Sequence, residues 1–222
     1  PVLRAALTDK DPERDQRIEA LLAEFESLDW RKEAARKLQK RVTFEFVQAP
    51  LTEAANFMSQ VSEISVLIDP PGLAEGDKPI TLKMTQANLE DALDWIARMG
   101  GCKWELCDHA ILLTRGAAEL TPAKPSERVR EALGKKVNLE FKDSAFEECL
   151  SYLRGLINVN ILTDPQAFGK GGADPRTPVT LKLEGATLEE VLGKLVAPLK
   201  LRTVVCKGDV IFITGPEKKP GS

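Results

Sequence analysis

The sequence predicts an α+β fold built from two tandem copies of one β-α-β-β-α-β-β unit. Three observations predict it. The segment RVTFEFVQAPLTEAANFMSQVSEISVLIDP (41–70) returns at 136–165 with a constant offset of 95 residues. PITLKMTQANLEDAL (79–93) returns as PVTLKLEGATLEEVL (178–192) at an offset of 99. Within each copy, apolar residues switch between a period of two and a period of about 3.6, which marks short strands alternating with amphipathic helices.

Each element follows from its own residues. Val42, Phe44 and Phe46 alternate with Thr43 and Glu45, the pattern of a half-buried strand. Pro50 suits the first turn of the next helix, and in the second copy Ser144-x-x-Glu147 reads as a capping box. Leu51, Ala54, Ala55, Met58 and Val61 recur at helical spacing, as do Phe146, Cys149, Leu150, Leu153 and Leu156. A short apolar strand then ends at Asp-Pro, Asp69-Pro70 or Asp164-Pro165, before a loop that is four residues longer in the second copy. Ile80, Leu82 and Met84, or Val179, Leu181 and Leu183, alternate in the next strand. Asn88 and the box Thr187-x-x-Glu190 start the second helix of each copy. A hairpin closes each unit, turning at Asp108-His109 or at Lys207-Gly208-Asp209. The expected layout is two helices packed between small sheets.

The domain plan follows: a helical lead-in at 1–40, a first domain at 41–115, a linker with a short helix at 116–135, a second domain at 136–214 and a disordered tail at 215–222. Ile18, Leu21, Leu22 and Phe25 give the lead-in one apolar stripe, and a second helix is expected over 30–40. Its counterpart before the second copy spans 126–135, with Leu133 matching Leu38. Two prolines mark 116–125 as linker.

Composition narrows the function classes. Lys plus Arg number 31 against 34 Asp plus Glu, a net charge of −3, and this balance disfavours nucleic-acid binding. Residues 41–115 alone carry a net −5, which would suit a basic protein partner, although ordinary solubility charge is the simpler reading. No apolar run approaches the roughly 18 residues of a membrane span. The sequence starts at Pro1, with no initiator methionine and no signal peptide, as expected of a processed chain, so compartment stays open. Cys102, Cys107, Cys149 and Cys206 lack C-x-x-C spacing and read as free, small hydrophobes rather than zinc ligands.

No constellation with chemistry emerges. With a single histidine, His109, no nucleophile–base pair can be assembled, and its place at a hairpin tip makes it a turn residue. Asp69 and Asp164 are repeat equivalents in separate copies, each at a strand end. Glu53, Glu148, Glu90 and Glu189 sit in first turns of helices, where they complement the dipole. Gly169-Lys170-Gly171-Gly172 lacks phosphate-loop spacing. The expectation is therefore no catalytic residue, no cofactor and no metal. The candidate partner-binding residues are polar positions on the outward side of the long strands: Thr43, Glu45, Thr81 and Lys83, with equivalents Asn138, Glu140, Thr180 and Lys182. Their chemistry is nearly the same in both copies. An extended peptide, or an edge of a neighbouring copy, could add to such small sheets.

The pattern V-T-F-E-F-x-x-A-P-L-x-E-A, a strand ending in D-P, then T-L-K-x-x-x-A-x-L-E-D-A-L and a closing hairpin resembles the short N-terminal (STN) domain shared by secretins and TonB-dependent transducing receptors. The resemblance covers both copies, about two-thirds of the chain. It implies a periplasmic, non-catalytic module that docks protein partners of the cell envelope, either secretion-system components or signalling regulators, with self-association as a variant. The alternative is a cell-wall or carbohydrate-binding module. Against it stand 5% aromatics and a single tyrosine, with Trp30, Trp95 and Trp104 as the only large rings of that kind.

Overall fold

The structure, a computed structural model, describes residues 12–69, 79–107, 109–116, 120–168 and 172–216. The tail from 217, Asp108 of the first hairpin turn and Gly169-Lys170-Gly171 fall outside that range, as does the lead-in before residue 12. The fold is α+β. After helix α1 (Pro12–Leu38) come β1 (Arg41–Ala49), α2 (Leu51–Ser62), β2 (Ser65–Ile68), β3 (Ile80–Asn88), α3 (Leu89–Gly100), β4 (Cys102–Cys107) and β5 (Ala110–Arg115). The order then repeats after α4 (Glu127–Gly134) as β6 (Lys136–Ala145), α5 (Phe146–Leu156), β7 (Asn160–Thr163), β8 (Pro178–Thr187), α6 (Leu188–Val196), β9 (Arg202–Cys206) and β10 (Val210–Thr214). Short 3₁₀ turns follow β7 and α6.

The lead-in differs from expectation. One continuous helix, α1, runs to Leu38 where two were expected, because 12–38 holds no glycine and no proline after Pro12 to break it. Among the described residues two compact units form: 12–41, 49–69, 79, 88–107 and 109–116 make the first, and 42–48, 80–87, 120–168 and 172–216 the second.

In the first unit β2 pairs parallel with β5, and β4 pairs antiparallel on its other side. The α2 helix buries Leu51, Ala54, Ala55 and Met58. The α3 helix buries Leu89, Ala92, Leu93 and Ile96. Gly100 lets these two helices meet closely, since a Cβ there would stand 2.9 Å from Leu51 Cδ1 and push that side chain aside. Buried Ser62 is fully used: its hydroxyl donates to the Met58 carbonyl at 2.6 Å and accepts from the Ile64 N–H at 3.2 Å.

The second unit contains the pairs β1–β3 and β6–β8 and the sheet β7-β10-β9. Its core draws on both helices and both sheets around them: Phe146, Leu150 and Leu153 of α5, Leu188, Val191 and Leu192 of α6, Leu139 and Phe141 of β6, and Ile211 and Ile213 of β10. This is the expected packing of two helices between small sheets.

Helix starts follow the sequence with two shifts. Asn88 Oδ1 accepts from the Asp91 N–H at 2.7 Å. Thr187 and Glu190 form the full box, the hydroxyl accepting from Glu190 N–H at 3.3 Å and the carboxylate from Thr187 N–H at 2.9 Å. Pro50, expected inside α2, is instead its extended N-cap with φ −63°. The box expected at Ser144 and Glu147 does not form, because Ser144 is still paired with Val179 in the β6–β8 ladder. The cap moves to Ala145, whose N–H donates to Glu148 Oε2 at 3.2 Å. Replacing Thr187 by alanine should cost about 1 kcal/mol. Thr187→Asn should cost little, since the first copy caps α3 with Asn88; equal thermal shifts for the two variants would refute the assignment.

Candidate functional site

All eight candidate residues lie exposed on the long strands β1, β3, β6 and β8, opposite the buried side. What the four uncharged ones do locally is the same in both copies. Gln48 and Gln86 in the first pair, Asp143 and Gly185 in the second, adopt left-handed backbone with φ of 53°, 53°, 50° and 64°. These are β-bulges. In the β6–β8 ladder the register slips between Val137 and Leu139 and slips back between Phe141 and Ser144, so an extra residue on β8 is balanced by one on β6.

A bulge leaves an N–H without a ladder partner, and the candidate residues supply the acceptor. Thr43 Oγ1 accepts from Gln86 N–H at 3.0 Å and Thr81 Oγ1 from Gln48 N–H at 3.1 Å. In the second copy Asn138 Oδ1 accepts from Gly185 N–H at 2.6 Å and Thr180 Oγ1 from Asp143 N–H at 3.2 Å. Contacts from 43 to 86 and from 48 to 81 run in opposite senses along the strands, so β1 and β3 are antiparallel. Four of the eight residues therefore serve the fold.

The charged four differ. Lys83 Nζ lies 2.9 Å from Glu45 Oε2 across the β1–β3 pair, both side chains about half exposed. Glu140 and Lys182 are likewise cross-strand partners. Their charges, however, pair along their own strands, Glu140 with Lys142 at 3.0 Å and Lys182 with Glu184 at 3.3 Å. Exposed pairs of this kind stabilise little, at most about 1 kcal/mol each.

Sequence reasoning missed one anchor. Asn160, at the start of β7, is only 7% exposed. Its carboxamide accepts from the Thr85 N–H at 2.8 Å and donates to the Thr85 carbonyl at 3.3 Å, acting as a one-residue ladder against the edge of β3. The signal was available, since an Asn stands in an apolar strand where the first copy has Ser65.

Basic residues clamp equivalent helix ends. Lys40 Nζ donates to the Val61 carbonyl at 3.4 Å, and its equivalent Lys135 donates to the Leu156 carbonyl at 2.8 Å. Arg128 donates to the Asn158 carbonyl. Glu63 sits beside Lys40 at 3.1 Å and Lys37 at 3.8 Å. The hydrogen bond and charge of Lys40, then the charge of Lys37, hold its carboxyl below the ordinary range. What this pairing adds is present above the normal glutamate range and is lost as pH falls through the lowered value.

The remaining singled-out residues have structural duties. His109 is a turn residue at φ 56° whose ring lies 5.2 Å from that of Trp30. Asp164 caps a 3₁₀ turn, accepting from Gln166 N–H at 3.0 Å, and takes a hydrogen bond from the Thr214 hydroxyl at 2.7 Å. Asp69 N–H donates to the Leu113 carbonyl at 2.9 Å. Gly172 must be glycine, since a Cβ would fall 2.4 Å from the Ala167 carbonyl oxygen. All four cysteines are free; Cys102, Cys149 and Cys206 are buried, and burial pushes the Cys149 thiol up. Trp95 is buried, while Trp104 is half-buried and donates to Asp94 at 2.7 Å. Among the described residues no group of three or more His, Cys, Asp or Glu is placed to hold a metal ion, and no helix is long and apolar enough to cross a membrane.

No protein-family model and no curated protein matches the chain. Among solved structures it is similar to a candidate anti-sigma factor from Parabacteroides distasonis ATCC 8503, at 14% identity and a TM-score of 0.30. The match covers 64% of this chain and 53% of that one, so the chain spans about half the length of its neighbour. A likeness at that level transfers neither architecture nor function.

Proposed function

We propose that the protein is a non-catalytic protein-interaction module of the bacterial cell envelope. In this reading it works in the periplasm and docks partner proteins as the STN domains of secretins and transducing receptors do. Its two repeats, 41–115 and 136–214, are the interaction units, with 42–48 and 80–87 of the first packed in the second compact unit. The observation that carries the reading is the repeated placement of a Glu opposite a Lys on the exposed side of the long strands. Glu45 with Lys83 and Glu140 with Lys182 are cross-strand neighbours at equivalent exposed places in the two copies. The bulges account for the Thr and Asn positions, but nothing in the fold requires a Glu opposite a Lys there. The carbohydrate alternative gains no support, because none of Trp30, Trp95 and Trp104 is exposed.

The test exchanges the charges. Glu45→Lys combined with Lys83→Glu keeps the mutual pair, so stability should stay within about ±0.5 kcal/mol. Recovery of envelope partners in a pull-down should nevertheless fall several-fold. Equal recovery of the same proteins by parent and variant would remove the reading. Fractionation of native cells tests the compartment, and a cytosolic location would end the periplasmic part.

A further inference from the structure

The two copies treat one sheet edge differently. In the second copy β9 is the last strand of its sheet, and the chain's own residues 121–123 lie along it in extended form. Pro122 pairs antiparallel with Cys206. On either side, Ala123 N–H donates to the Val205 carbonyl at 2.9 Å and Lys207 N–H to the Thr121 carbonyl at 3.4 Å. The central position makes no backbone bond, which is why a proline fits there.

In the first copy β4 is likewise the last strand of its sheet. Cys107, Leu106 and Glu105 of β4 are the equivalents of Cys206, Val205 and Val204. The segment standing the same distance before this copy, 26–28, lies inside α1, whose backbone groups are spent on the helix itself. Among the described residues, the Leu106 carbonyl thus has the place of the Val205 carbonyl without a counterpart of 121–123 bonded to it. Burial agrees: Cys206 is buried and Cys107 only partly.

We propose that the outer edge of β4 is a docking site for an extended segment of a protein partner, added antiparallel as 121–123 adds to β9. The segment presents a small residue or proline opposite Cys107 and a basic residue opposite Glu105. The second requirement is charge complementarity. In the register of 121–123, Lys124 falls opposite Val204, where β4 carries the exposed acid Glu105. A second copy of this chain is a poor donor, because its own Thr-Pro-Ala segment already occupies β9. The proposal rests on the protein-interaction reading and deepens it by naming an edge and a ligand chemistry.

The probe is the capped peptide Glu-Leu-Thr-Pro-Ala-Lys-Pro, titrated into the isotope-labelled full chain and followed by amide resonances. Saturable shifts at Trp104 and Leu106, with β9 amides unmoved, are expected. N-methylation of the peptide's alanine removes the donor to the Leu106 carbonyl and should weaken binding about tenfold, the worth of one well-made hydrogen bond. Glu105→Lys should weaken the parent peptide several-fold and favour a peptide with glutamate in place of lysine. No saturable change on β4, shifts on β9 instead, or indifference to N-methylation would each overturn the proposal. Loss of this edge while the Glu45/Lys83 exchange still abolishes capture would leave the broader function standing; the converse result would separate them the other way.

Discussion

Phe146→Ala lowers the unfolding free energy by about 3–5 kcal/mol, the range for deleting a fully buried ring. Phe146 opens α5, is 0% exposed, and its N–H donates to the Thr177 carbonyl at 3.0 Å. Its ring centroid lies 5.9 Å from that of Phe168, so truncation leaves a cavity within the buried cluster of the second unit. The first copy holds Leu51 at the equivalent place, 2% exposed. Phe146→Leu should therefore cost less than about 1.5 kcal/mol, as shape-tolerant apolar exchanges do. Urea unfolding checks both values. A loss under 1 kcal/mol for the alanine variant would mean that this core is not packed as described.

Asn160→Ser, which installs the first copy's residue, removes two hydrogen bonds to the Thr85 backbone and should cost about 1–3 kcal/mol. Asn160→Asp is the sharper experiment. A carboxylate can accept from the Thr85 N–H but cannot donate to the Thr85 carbonyl, and it buries a charge at a site only 7% exposed. The carboxyl is then held protonated to higher pH in the folded state than in the unfolded one. Its penalty is full near neutral pH and shrinks as pH falls toward the ordinary aspartate range near ~4. A deficit that does not change with pH would show that Asn160 is not enclosed against β3.

Most of the fold was legible because the chain states it twice. The offsets of 95 and 99 fix equivalent strands and helices, and alternation then fixes which side of each is buried: Phe44, Phe46, Leu82 and Met84 are all buried, with Thr43, Glu45, Thr81 and Lys83 opposite. The bulges were not legible. Gly185 and Asp143 are of types that tolerate left-handed backbone, but nothing in Gln48 or Gln86 announces a positive φ. Half of the eight shared polar residues, the Thr and Asn positions, therefore looked like a functional surface when they are acceptors for bulge N–H groups. The α1 helix was misjudged for the opposite reason: its apolar residues are sparse, and sparse pattern reads as a break even where no breaker stands. Asn160 escaped because a repeat comparison rewards what the copies share, and this anchor is a place where they differ.

The paired bulges also bear on how the chain reaches its native state. Because β1–β3 and β6–β8 carry the same offsets and acceptors, β1 is nearly as well matched to β8 as to β3. Correct pairing closes a loop of about thirty residues, and the exchanged pairing one of about 130. That is roughly two doublings of loop length, an entropic preference of only about 1.2 kcal/mol. Duplication thus stores a kinetic trap in the sequence, in which strands of one copy are recruited by the other before their own helices have formed. Synthesis from the N-terminus relieves it, since β3 emerges from the ribosome long before β8 exists. Refolding from denaturant removes that temporal order and exposes the full choice.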